Sequence, residues 1–165
     1  MKDTKGFLMI ELIISLSLIG VIMLLVFNIT IFNIKAFTKT EASVEIQQQA
    51  QFLKEFIEDK VYRSTRIDSI INLSGNRVNV NTFKSGEIRE IRLYLVDGVV
   101  GIYIDKNSKK MFYRTDIRYN GYEIGNYINK MEIEKLQNGR GIKFNLEIQK
   151  KKETFDLEFI AYFRN

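Results

Sequence analysis

The chain has 165 residues, a net charge of +5, and no Cys, His, Trp or Pro. Without Cys or His it has no disulfide, no thiolate nucleophile and none of the commonest general base and metal ligand, which counts against an enzyme; no cofactor is expected. At 45% hydrophobic and 27% charged it lies far from the disordered range, and its dispersed basic excess weighs against a dedicated nucleic-acid partner.

The first element is an apolar segment from Phe7 to Phe37. Leu12 to Phe27 carries no charge and is broken only by Ser15, Ser17 and Gly20. About 20 helical residues cross the hydrocarbon core, so this run is long enough to span a membrane. Its apolar residues surround the helix rather than forming one stripe, as lipid contact requires. Lys2 and Lys5 precede it, which places the N terminus in the cytoplasm and the remainder outside. A secretory signal peptide fits poorly. The run is too long, no small-x-small cleavage site follows, and Glu11 stands near its start. An acid in a membrane helix is costly and by default functional.

Lys5-Gly6-Phe7-Leu8-Met9-Ile10-Glu11, followed by a long apolar run, resembles the N-terminal signature of type IV prepilins and type II secretion pseudopilins. The resemblance implies cleavage by a prepilin peptidase between Gly6 and Phe7 and methylation of Phe7 as the new N-terminal residue. It implies that Glu11 neutralises the N-terminal amine of a neighbouring subunit and sets the register of assembly. Partners would be the peptidase, other pilins or pseudopilins, an inner-membrane assembly platform, and membrane lipid before assembly. Leu8 stands where a small hydroxyl residue is usual in the family. Gly20 matches a family glycine around which the helix loosens, while Asn28 stands near the place of a frequent proline.

Beyond the membrane, Ile46, Ala50, Leu53, Ile57 and Val61 recur at helical spacing, which predicts one helix from Phe7 to about Arg66. Asn72 to Asn76 reads as the break that ends it. Ile91, Leu93 and Leu95 alternate with polar neighbours, and Asp97-Gly98 marks a hairpin into Val99–Asp105. Asp105 to Lys109 reads as a turn before Met111–Thr115, and Tyr113 to Asn129 as an irregular excursion. Ile142 to Gln149 and Phe155 to Phe159 alternate strictly across the turn Lys150–Lys152. One apolar face on antiparallel strands asks for a cover, and the apolar stripe of the helix is the natural one.

The expected fold is therefore α+β and pilin-like, a long N-terminal transmembrane helix packed against an antiparallel sheet. Its expected divisions are a leader over 1–6, a membrane and assembly helix over 7–35, and an extracytoplasmic domain over 36–165 whose sheet covers 77–165. The order of elements is similar to J-type pseudopilins, W-type minor pilins and a competence minor pilin of Gram-positive bacteria. It implies a minor subunit that initiates or caps a filament. The rival reading is a single-pass anchored binding or sensor domain that never polymerises.

Two further patterns are weaker. Asp105-Lys106-Asn107, with Asp116 to close it, begins like a calcium loop, but Lys110 replaces the required glycine and a plain turn is favoured. Arg63/Arg66, Arg89/Arg92, Lys109/Lys110 and Lys150–Lys152, near Tyr113, Tyr119, Tyr122 and Tyr127, mix cations with aromatics as single-strand binders do. Interleaved Asp and Glu argue for solvated strand faces instead.

Overall fold

The computed structural model describes residues 4–116, 121–137 and 139–164, with side chains from residue 9 onward. The chain divides into two compact units, residues 1–41 and 42–165. Helix α1 runs Thr4–Tyr62 and contributes to both. It passes Gly20 and Asn28 without a break, since no proline removes a backbone donor and a single glycine costs only about 1 kcal/mol.

In the first unit the helix buries none of its large side chains among the described residues. Leu24 is 65% exposed and Phe32 71%.

In the second unit the same helix has one apolar stripe. Ala42, Ile46, Ala50, Leu53, Ile57 and Val61 follow each other at three- or four-residue steps and are all 3% exposed or less. They meet the inward residues of a curled sheet made of β1 (Ser64–Asn72), β2 (Arg77–Val78), β3 (Ser85–Leu95), β4 (Gly98–Asp105), β5 (Lys110–Arg114), β6 (Tyr122–Asn126), β7 (Ile128–Lys135), β8 (Gly141–Lys150) and β9 (Glu153–Tyr162). Every described strand pair is antiparallel, in the order β6-β5-β4-β3-β7-β8-β9. β3 is the hinge of the sheet. It pairs with β4 at Glu90–Leu95, with β1 at Ile88–Leu95 and with β7 at Ser85–Glu87. A Cβ on Gly125 would lie 2.9 Å from the Leu53 side chain, so β6 needs a glycine where that leucine sits.

The helix ends four residues before the expected Arg66. Ser64 and Thr65 fall where the apolar series would continue, and the Ser64 hydroxyl caps the turn by donating to the Val61 carbonyl at 2.7 Å. The chain then enters β1, which the sequence reading left without a strand and which pairs Ser64 with Leu95 and Ile70 with Ile91. The break at Asn72–Asn76 is a hairpin turn rather than the end of the helical region. The Asn72 side chain accepts from the Asn76 amide at 2.9 Å, and Gly75 takes φ 82°.

The β3–β4 hairpin turns one residue earlier than Asp97-Gly98. Leu95 pairs with Gly98, so Val96 and Asp97 form the loop and Gly98 opens β4 at φ 131°. The excursion expected over Tyr113–Asn129 contains two strands, because Tyr122–Asn126 pairs with β5 and Ile128 starts β7. Tyr127, at φ 66°, is the joint where the chain changes partners. Its carbonyl accepts from the Gln149 amide at 2.7 Å, and the next amide, of Ile128, donates to the Lys109 carbonyl at 2.9 Å.

Candidate membrane and assembly segment

Glu11 and Lys35 bracket 23 residues without a charge, a rise of about 35 Å along a helix and more than the roughly 30 Å hydrocarbon core. Among the described residues this is the one helix long and apolar enough to cross a membrane. Its hydroxyls are already satisfied. Ser15 donates to the Glu11 carbonyl at 2.8 Å, Ser17 to Ile13 at 2.7 Å, and Thr30 to Val26 at 2.8 Å. Such i−4 bonds hide a hydroxyl against its own backbone, the condition lipid imposes on any polar group.

Glu11 is exposed, one helical turn before Ser15, and among the described residues it has no ion-pair partner. A Cβ added to Gly20 would meet nothing within 4 Å, so the fold of this chain sets no steric demand for glycine there. A bare patch of this kind favours close approach of a second helix. The backbone of Gly6 and Phe7 belongs to α1, but the side chain of Phe7 lies outside the described ones.

In the second unit most charged side chains are spoken for. Glu45 on the helix bonds Lys150 on β8, whose ammonium also lies 4.8 Å from the centre of the Tyr127 ring. The hydrogen bond from Lys150 holds the Glu45 carboxyl below the usual glutamate range. Asp59 bonds both Lys60 and Arg63, at 2.9 and 2.7 Å. Burial opposes ionisation there, yet these two bonds outweigh it and keep the Asp59 carboxyl low.

On the sheet side away from the helix, Glu90 is 7% exposed and accepts from Arg92 at 2.7 Å and from Arg114. Arg114 also stacks over Tyr103 at 5.0 Å. A Cβ on Gly101 would stand 2.7 Å from Glu90 Oε1, so this charge trio depends on a missing side chain.

The weaker patterns resolve into structure. The Asp105 carboxylate accepts from Ser108 Oγ at 2.7 Å and the Asn107 amide at 3.1 Å, closing the β4–β5 turn. Those bonds hold its carboxyl below the usual aspartate range. Of the basic residues, Arg63, Arg92, Lys110 and Lys150 are ion-paired, while Arg89, Lys109, Lys151 and Lys152 are solvated. Arg66 lies 4.6 Å over the Tyr94 ring. Tyr113 packs edge-on against Phe56, and burial raises its hydroxyl pKa. Tyr119 lies outside the described residues.

Comparison with protein-family models, with curated proteins and with solved structures finds no match.

Proposed function

We propose that this chain is a filament subunit of the type IV pilin and pseudopilin kind, in a minor, initiating or capping role. The observation that carries the reading is Glu11, an acid at the entrance of a 23-residue uncharged stretch of α1 whose large apolar side chains are all exposed. A compact α+β unit follows on the same helix. An anchor needs only the hydrocarbon length; a carboxylate near its edge costs less than the roughly 2.5–3.5 kcal/mol of the membrane centre but still needs a reason, which a partner supplies. In this reading the partner is the α-amine of a neighbouring subunit, freed by cleavage between Gly6 and Phe7 and methylated at Phe7. Two ions leaving water together keep each other's charge compensated, and their geometry sets the axial register. The protein begins as a single-pass protein of the cytoplasmic membrane, with its domain outside, and passes into a surface or periplasmic filament. Its function is structural.

Mass spectrometry of the mature N terminus in its native host tests the reading. A chain starting at methylated Phe7 supports it, and an intact Met1 favours the anchored sensor domain. Glu11→Val is expected to be cleaved normally and to be lost from sheared filaments. Normal incorporation of that variant would remove the register role.

A further inference from the structure

The outward faces of the second unit are electrically unlike each other. On β3, β7, β8 and β9 the register sets Glu87 opposite Glu132, with Asn145 and Glu158 continuing that row. The adjacent rows set Glu147 opposite Asp156 beside Lys130, and Ser85 opposite Glu134 beside Lys143. Like charges placed directly across a ladder destabilise the pair. Six carboxylates thus face solvent with three lysines among them, Lys130, Lys143 and Lys106, the last bonding Glu87 at 2.9 Å, although the whole chain is +5. Lys130 and Lys143 both have raised pKa values, first through bonds to Glu132 and Glu158 and then through the field of Glu87, Glu147 and Glu134. Ser85, Glu132, Glu134, Lys143, Asn145 and Glu158 line a shallow hollow on this face.

The end of the unit where α1 meets β1 has the opposite character. Val96 is 90% exposed, Tyr62 58% and Tyr162 54%. Arg63, Arg66 and Arg164 stand among them, Arg66 over Tyr94, and the Arg164 amide donates to the Tyr62 carbonyl at 3.1 Å. Asp97 lines the same end, and Asp59 there is held by Lys60 and Arg63. Arginine and tyrosine around an exposed apolar tip is the composition that dominates binding energy in protein interfaces.

We infer that the acidic sheet face of one copy docks the Arg–Tyr end of a second copy. Each copy carries both halves of the contact, on different surfaces, so the contact is head-to-tail and extends instead of closing a pair. Opposed carboxylates that weaken an isolated subunit become favourable once a guanidinium stands between them. The inference deepens the filament reading, but the two fail separately. An unprocessed N terminus removes that reading and leaves this contact standing.

The chain has no native Cys, so a disulfide trap has no background. Full-length copies carrying Thr154→Cys, on the acidic face, are mixed in detergent micelles with copies carrying Val96→Cys and oxidised. A mixed disulfide is expected. Its yield should fall about tenfold when Glu134→Lys and Asp156→Lys are added to the Thr154 carrier, and likewise in 1 M salt. It should return when the Val96 carrier also bears Arg66→Glu and Arg164→Glu. Equal melting temperatures of the carriers establish that all are folded. A yield indifferent to charge, or one that the exchanged charges do not restore, overturns the contact. So does a yield abolished by millimolar calcium with the charges unaltered, which would make an ion the occupant of the face.

Discussion

Residues 9–37 and 42–61 lie on one helix, yet they solve the problem of apolar surface in opposite ways. In the first stretch every large hydrophobic side chain is about half exposed or more, whereas the stripe from Ala42 to Val61 is sealed by a sheet folded from the same chain. Their carboxylates differ in the same sense. Glu11 is exposed with no ion-pair partner among the described residues, while the buried Glu90 on β3 is held by two guanidinium groups. A helix can therefore be complete as secondary structure and incomplete as a folded unit. What covers the second stretch is folded from the same chain; the first has no such cover among the described residues.

Truncating one leucine on each stretch is the strongest way to break this contrast. Leu53→Ala should lower the stability of the second unit by about 2–5 kcal/mol, since Leu53 is fully buried against β6. Leu24→Ala should move the same melting transition by no more than about 0.5 kcal/mol. Thermal unfolding of the full chain in micelles reads both. Equal losses would mean that the first stretch has a protein core of its own.

A smaller effect sharpens the comparison of the two acids. Gly101→Ala pushes a methyl group into Glu90 Oε1 and the Arg114 side chain and should cost about 1–3 kcal/mol. An unchanged urea midpoint would show that the buried trio yields freely.

The smallest effect is confined to acid. Glu45 has a folded pKa below its unfolded one, so its contribution is complete above the ordinary glutamate range and disappears as pH falls through the folded value. Glu45→Gln should therefore flatten the decline in melting temperature between about pH 5 and 3 and leave Glu11-dependent behaviour untouched. A parallel decline in both proteins would place the acid sensitivity elsewhere.

The long helix, its inner stripe and the last two strands are legible because each carries a sustained period, 3.6 residues along Ile46–Val61 and two along Ile142–Phe159. β1 is not, because Ser64–Asn72 bulges against β3 at three places and its burial follows no simple alternation. β6 and the start of β7 are not legible, because they lie in a stretch of Tyr, Gly and Asn whose residues serve the Gly125 contact and the Tyr127 joint. The end of the helix was visible after all, in the polar Ser64 and Thr65 that interrupt the apolar series. In the candidate segment Glu11 stands out from composition alone. The Glu90 trio could not, since Arg114 joins Glu90 and Arg92 of β3 only through the pairing of β3, β4 and β5.

The bonds from Ser15, Ser17 and Thr30 to their own backbone have a consequence for transfer between media. A helix that solvates its hydroxyls internally presents hydrocarbon to whatever surrounds it. Exchanging lipid for the flank of another apolar helix then breaks no backbone bond and uncovers no hydroxyl. Only Asn28, Asn33 and the carboxylate of Glu11 have polar ends that must be re-paired on the way. Were such a segment to pass from a bilayer to the flank of another helix, it would change neighbours with little change of chemistry outside those three side chains.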